Sequence, residues 1–161
     1  MRDYIIMTDS CCDLSQQEVK ELELTVLPLS FTIEGKTLLN TPDHADMSPE
    51  EFFAKIAAGA DCTTAAVNVG QFTDAMEKVL QEGKDILCVC FSSALSTTYQ
   101  SACIAAEDLR EKYPEAKILV IDSLSASRGQ GMLLYRAVRE RREKNLTIDE
   151  LDAYVRSIIQ S

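Results

Sequence analysis

The stretch Asp85-Ile86-Leu87-Cys88-Val89-Cys90-Phe91 is apolar at every position after the first. A run of this kind suits a strand buried on both faces of a parallel sheet. Ile118-Leu119-Val120-Ile121 is a second, and Tyr4-Ile5-Ile6-Met7 a third compact apolar run that ends at Thr8-Asp9-Ser10. Helical periodicity separates them. Ala102, Ala105, Ala106 and Leu109 recur at i, i+3, i+4 and i+7, and Phe72, Met76, Val79 and Leu80 mark one face between Gly70 and Gly83. Strands alternating with helices imply an α/β domain with a mostly parallel sheet flanked by helices. At 161 residues and 46% apolar content, residues 1–161 make one domain with enough buried surface for a real core.

Local signals place the remaining helices. Ser15-x-x-Glu18 is a capping box, and so is Thr147-x-x-Glu150, which opens a last helix bearing Leu151, Val155, Ile158 and Ile159. Ser48-Pro49-Glu50-Glu51 combines an N-cap serine with proline at the first helical position. A long helix is expected from about Ser127 to Lys144. Leu24 to Ile33 reads as one strand-like stretch, with a turn at Glu34-Gly35 and a hairpin return through Thr37-Leu38-Leu39. Thr63-Thr64 reads as loop before the Gly70 helix. The apolar face of the last helix needs a partner, either its own sheet or a neighbouring domain.

The formal charge of −10 argues against nucleic acid, because phosphate partners need clustered Lys and Arg. The one basic run, Arg136 to Lys144, alternates with Glu140 and Glu143 and reads as a solvated helix face. The six cysteines include Cys11–Cys12 and Cys88-x-Cys90, neither of which matches a zinc knuckle, so no metal is expected. No signal peptide and no apolar stretch long enough to span a bilayer is present; the expectation is a cytoplasmic protein with reduced thiols and no membrane insertion.

In an open α/β sheet, ligands bind outside the carboxyl ends of the strands. Here those ends carry Thr8-Asp9-Ser10, Ser92-Ser93-Ala94-Leu95-Ser96-Thr97-Thr98 and Asp122-Ser123-Leu124-Ser125-Ala126-Ser127. Each cluster alone fits capping and turns. Together on one sheet edge they suit an anion, a carboxylate or phosphate, held by hydroxyls and helix N-termini. Asp9, Ser10, Ser93 and Ser125 are the candidates for lining that crevice. Catalysis is not expected. His44, the only histidine, lies in a polar loop-like stretch, so no serine has a base to activate it. No nucleophile elbow, Walker loop or complete G-x-G-x-x-G is present.

These segments are similar to the DegV family of bacterial lipid-binding proteins. Thr8-Asp9-Ser10-Cys11-Cys12-Asp13-Leu14 resembles the family's TDS-x-x-DL after its first strand, and Val26-Leu27-Pro28-Leu29-Ser30 its next strand. Ser92-Ser93-Ala94-Leu95-Ser96-Thr97-Thr98-Tyr99-Gln100-Ser101-Ala102 resembles SS-x-LSGTYQSA, and Ile121-Asp122-Ser123 with Ser127-x-Gly129-x-Gly131 resembles DS…S-x-G-x-G. The resemblance implies a non-enzymatic carrier with no cofactor. Such a carrier binds one long-chain fatty acid between two domains and presents its carboxyl group to a fatty-acid kinase, which makes the acyl phosphate. By this resemblance residues 1–161 are expected to match the first of those domains, with the second, lipid-covering domain absent from this chain. By the same resemblance Thr64 and Ser96 hold the carboxylate, with the Thr97 N–H as a third donor. Two departures stand out. The TSQP-type loop keeps only its threonine in Thr64-Ala65-Ala66-Val67, and Thr97 replaces the glycine of LSGT. Two other readings stay open: a phosphate-handling small-molecule enzyme of the same architecture, and an interaction domain that forms a homodimer.

Overall fold

The chain changes sheet at Pro28. The computed structural model describes residues 2–159. Strands β1 (Tyr4–Asp9), β2 (Leu24–Leu27), β6 (Asp85–Cys90) and β7 (Ile118–Asp122) form a parallel sheet in the order β2-β1-β6-β7. Immediately after Pro28 begins β3 (Leu29–Ile33), which pairs antiparallel with β4 (Lys36–Asn40) on one side and β5 (Cys62–Ala65) on the other. The stretch expected as one strand from Leu24 to Ile33 is therefore two strands in two sheets. Proline has no N–H to continue a ladder, which explains the break. The expected hairpin forms, with Glu34 and Gly35 both at positive φ (51° and 76°). Thr63 and Thr64, expected in a loop, are instead in β5.

The helices are α1 (Gln16–Glu21), α2 (Pro49–Ala57), α3 (Val69–Gln81), α4 (Thr98–Lys112), α5 (Ser127–Lys144) and α6 (Ile148–Ile159). Ser15 and Glu18 close the capping box of α1, and Ser48 Oγ accepts the Glu51 N–H at the start of α2. Thr147 and Glu150 cap α6 reciprocally. Asn68 and Gln71 form a further capping box on α3, one residue ahead of the Gly70 start expected from sequence.

Alternation along β6 explains its continuous apolar run. Leu87 and Val89 face a core shared with Leu134, Leu151 and Val155 of α5 and α6. Ile86, Cys88 and Cys90 face the opposite core, with Phe72 and Met76 of α3 and Ala102, Ala105 and Ala106 of α4. Successive side chains point to opposite sides of a strand, so both faces must be apolar. Each fully buried Leu or Phe contributes about 1.5–3 kcal/mol relative to exposure. The last helix packs on its own sheet: Leu151 and Val155 are fully buried, with Ile158 and Ile159 against the same core. Among the described residues no helix is long and apolar enough to cross a membrane.

One glycine is dictated by packing. A Cβ on Gly131 of α5 would lie 2.6 Å from the carbonyl oxygen of Cys12. The helix can lie against the 3-10 turn Ser10–Cys12 after β1 only because this residue has no side chain.

Candidate functional site

The order β2-β1-β6-β7 places the reversal of strand order between β1 and β6, the position at which open α/β sheets offer a crevice. At that point Asp9 closes the sheet rather than opening it. It is fully buried. One carboxylate oxygen accepts the Cys11 N–H at 3.0 Å and the Gln130 side-chain amide at 3.2 Å; the other accepts the Phe91 N–H at 2.8 Å. Burial raises its carboxyl above the ordinary range, opposed by these three donors. Asp9 was expected to line an open crevice, and it does not: it latches the ends of β1 and β6 together.

Ser10 has a similar structural task. Its hydroxyl accepts the Leu29 N–H at 2.9 Å, in a buried bond, which pins the first residue past Pro28 to the end of β1. Ser10 also borders a cleft of about 280 Å³ with Asp13, Ser15, Thr41, His44 and Arg128. Thr64, Ser96 and Thr97 do not border that cleft.

The loops after β6 and β7 are stitched to one another. Ser93 donates its N–H to Asp122 at 3.1 Å, and its hydroxyl also bonds the Asp122 carboxylate. The Ser92 N–H donates to the Ser125 carbonyl at 2.9 Å. The Ser125 hydroxyl donates to the Ser123 carbonyl, and its N–H to the Ser123 hydroxyl. Ser93 and Ser125 thus hold the loops together across the sheet edge. Leu124 and Ser127 both adopt left-handed backbone (φ 54° and 53°), a conformation that costs non-glycine residues of order 1–3 kcal/mol and persists only where the surroundings enforce it.

Ser96, Thr97 and Thr98 form the approach to α4. The Ser96 hydroxyl accepts the Thr98 N–H at 3.1 Å and lies 2.9 Å from the Thr98 hydroxyl. Thr97 is the N-cap residue, yet its side chain makes no capping bond. Its φ of −84° and ψ of 2° are open to any residue, so no glycine is demanded there by backbone conformation. Among the described residues neither the Thr97 N–H nor the Thr64 hydroxyl has a partner within the chain. The first-turn N–H groups of a helix are orphan donors and carry partial positive charge.

Thr64 belongs to the other sheet. It sits opposite Phe31 in the β3–β5 register, and directly opposed residues share a sheet face. Phe31 packs edge-on against Phe52 of α2 at 5.6 Å between ring centroids, and Phe52 likewise against Phe53 at 5.5 Å. Thr64 therefore belongs to the aromatic side of the small sheet, where Phe53 is 66% exposed. Leu95 and Leu124, in the loops after β6 and β7, are 67% and 62% exposed. Among the described residues, the loops after β6 and β7 carry the unpartnered Thr97 N–H with exposed Leu95 and Leu124, and the small sheet with α2 carries the unpartnered Thr64 hydroxyl with exposed Phe53. Thr64 and Ser96 are not in hydrogen-bond contact with one another.

Gln130 was not singled out from sequence. It is fully buried and donates to the Thr8 hydroxyl at 2.9 Å and to Asp9, while its own side-chain oxygen lacks a donor. The readable signal was a polar residue between Gly129 and Gly131, on the helix face where the backbone comes closest to the 3-10 turn.

The model of the DegV family, described as an uncharacterised protein family, matches residues 4–161. A DegV domain-containing protein of Clostridium perfringens is 37% identical over 155 residues, covering 96% of this chain and 53% of that protein. A DegV family protein from Thermus thermophilus, described for its fatty-acid binding, superposes with a TM-score of 0.85 at 29% identity, over 100% of this chain and 54% of that one. A stearic acid-binding protein from Eubacterium ventriosum superposes with a TM-score of 0.84 at 26% identity, over 94% and 52%. The chain spans about half the length of each.

Proposed function

Because the chain belongs to the DegV family, we propose that it binds a long-chain fatty acid and presents the carboxyl group to a fatty-acid kinase for acyl-phosphate formation. The observation that carries the reading is the pairing of unused donors with uncovered apolar surface. Among the described residues the Thr64 hydroxyl and the Thr97 N–H are unpartnered; Leu95, two residues before Thr97, and Phe53 of α2, the helix that packs on Phe31 opposite Thr64, are both exposed. In this reading Thr64, Ser96 and the Thr97 N–H hold the carboxylate, and the apolar side chains meet the start of the tail. Two solved relatives that bind fatty acids share the fold. The kinase step is supported by the likeness of Ser92–Ala102 to the SS-x-LSGTYQSA segment of the carriers.

Charge-assisted hydrogen bonds contribute roughly 1.5–3 kcal/mol each. A buried tail contributes about 0.8 kcal/mol per CH₂. The tail therefore dominates affinity, and the hydroxyls orient the head. The chain itself performs no bond chemistry in this account. Both Asp9 oxygens accept hydrogen bonds and the residue is fully buried, which argues against Asp9 as a nucleophile for phosphate chemistry.

Titration with stearic acid tests the site. Wild type should bind, and a Thr64→Ala/Ser96→Ala double variant should bind at least about tenfold more weakly, the equivalent of one lost bond of 1.4 kcal/mol. Equal, tight binding by both would overturn the proposed carboxylate grip. Formation of acyl phosphate from the loaded chain, ATP and a purified fatty-acid kinase tests the presentation step.

A further inference from the structure

Thr98, the first residue of α4, is fully buried, whereas Ser96 two residues earlier is only half-buried. Ser96 Oγ accepts the Thr98 N–H at 3.1 Å and stands 2.9 Å from Thr98 Oγ1. A hydroxyl has one proton and two lone pairs, so the direction of the second bond follows by counting. Among the described residues Ser96 is the only partner of the Thr98 hydroxyl. Were Thr98 the acceptor, its own proton would lie in the interior with nothing to receive it, at the full cost of desolvating a donor. With Thr98 as donor no buried proton is stranded. The helix enforces this: Thr98 lies on the face of α4 that also buries Ala102, Ala105, Ala106 and Leu109. Both lone pairs of Ser96 are then filled by one residue, through its N–H and its O–H. Among the described residues Ser96 has no further side-chain partner, so its proton is the one left over.

We infer that Thr98 is a positioning residue that makes Ser96 an obligate donor, so that the site selects an ionised carboxylate over an uncharged head group; the inference rests on the carrier reading above. Thr98 itself meets no ligand. It acts through the Ser96 oxygen, which has no lone pair left with which to accept. The neighbouring Thr97 N–H can only donate, and among the described residues it has no partner. Two adjacent groups that can only donate suit a ligand that can only accept, and an ionised carboxylate is acceptor-only on both oxygens. Bonds to it are charge-assisted and roughly twice as strong as neutral ones. An alcohol or amide head brings protons of its own, and Ser96 offers them no acceptor. Donation from Thr98 also polarises the Ser96 hydroxyl in the direction of its outgoing bond.

A double-mutant cycle tests the coupling, with Kd measured for stearate and for octadecanol on the whole chain at pH 8. Thr98→Val removes the hydroxyl with little change of shape and should weaken stearate about three- to tenfold. Octadecanol should bind more weakly from the start and change by less than about twofold. Thr98→Ser keeps the hydroxyl and should restore the preference for the acid. In a Ser96→Ala background Thr98→Val should have no further effect on stearate, because the residue it acts through is gone. Equal loss in the two backgrounds overturns the inference. So does equal loss for acid and alcohol, which is what a merely structural role of Thr98 would give, and so does a Ser variant as weak as the Val variant. Thr98→Ala, which asks for no branched side chain in the core, carries the same cycle should the Val variant fail to fold. Two outcomes fall on the carrier reading instead and remove the inference with it: Ser96→Ala with wild-type stearate affinity, which dismisses the carboxylate grip, and a wild type that binds no stearate.

Discussion

The Asp9 carboxylate accepts the Phe91 N–H at 2.8 Å, so a side chain at the end of β1 fixes the first residue beyond β6. The loop that presents Ser96 and Thr97 starts from that fixed point.

Replacing Asp9 by Ala leaves three donors without their acceptor, a buried one on Gln130 and part-buried ones on Phe91 and Cys11. Each unsatisfied buried group costs about 1–3 kcal/mol. Partial relaxation should hold the measured loss near 3–5 kcal/mol in urea unfolding. A loss below about 1 kcal/mol would show that the latch is not structural.

The same residue sets a pH dependence of definite sign. Burial raises the Asp9 carboxyl above its ordinary value of 3.8, so the folded chain holds the proton to higher pH than the unfolded chain. Its titration contributes stability that is fully present below 3.8 and is lost as pH rises through the folded value. The stability gap between wild type and Asp9→Ala should therefore narrow from pH 4 towards pH 7. A gap that widens over that range contradicts the assignment.

Two glycines of α5 should respond oppositely to alanine. Gly131→Ala forces a methyl into the Cys12 carbonyl at 2.6 Å and should destabilise by about 1–3 kcal/mol. Gly129→Ala meets Ser125 Cβ at 3.5 Å, an ordinary contact, and should stabilise by up to about 1 kcal/mol through helix propensity. Thermal melts of the two variants, side by side, check both signs.

Thr97→Gly tests what a β-branched side chain does at the head of α4. The backbone there has ordinary dihedrals and the side chain forms no cap, so its loss should cost at most about 1 kcal/mol of helix stability. Fatty-acid affinity should rise several-fold as the backbone N–H becomes more accessible. Weaker binding by the glycine variant would show that the threonine itself contributes to the grip.

The thiols should react in an order set by their surroundings. Burial and the neighbouring Asp9, Cys12 and Asp13 push Cys11 up to about 12, and burial pushes Cys12 up to about 11. Cys88 and Cys90 are fully buried, with their sulfurs 3.6 Å apart. Thiolate is the reactive form. Iodoacetamide at pH 8 should label Cys62, half-exposed on a sheet edge, well before Cys11, and should leave Cys12, Cys88 and Cys90 untouched in the native state. Early labelling of Cys11 by mass spectrometry would contradict this order.

The elements legible in the sequence were those whose local chemistry and packing agree. The runs at Tyr4, Asp85 and Ile118 are buried on both faces, and three of the helix starts carry their cap in the sequence as serine or threonine followed by glutamate. The small sheet was hidden. Cys62-Thr63-Thr64-Ala65 has no apolar alternation because it is an exposed edge strand, and only its register with β3 makes it a strand. Pro28 was read within a strand because the apolar pattern continues across it, although its missing N–H ends one ladder and lets the next begin. At the site, the hydroxyl-rich loops were apparent as sequence. Their division of labour was not, because the side-chain bonds of Ser10 and Ser93 and the Ser92–Ser125 backbone bond link residues far apart in the chain.

The single-residue joint at Pro28 has a mechanical consequence. Proline's φ is fixed by its ring and the Ser10–Leu29 bond pins the next residue, so this joint leaves the small sheet little freedom to tilt against the large one. Thr64 rides on the first and Ser96 is anchored to the second. A carboxylate held by both would act as a strut across a stiff hinge, and the angle between the two plates would be nearly the same in the loaded and empty carriers.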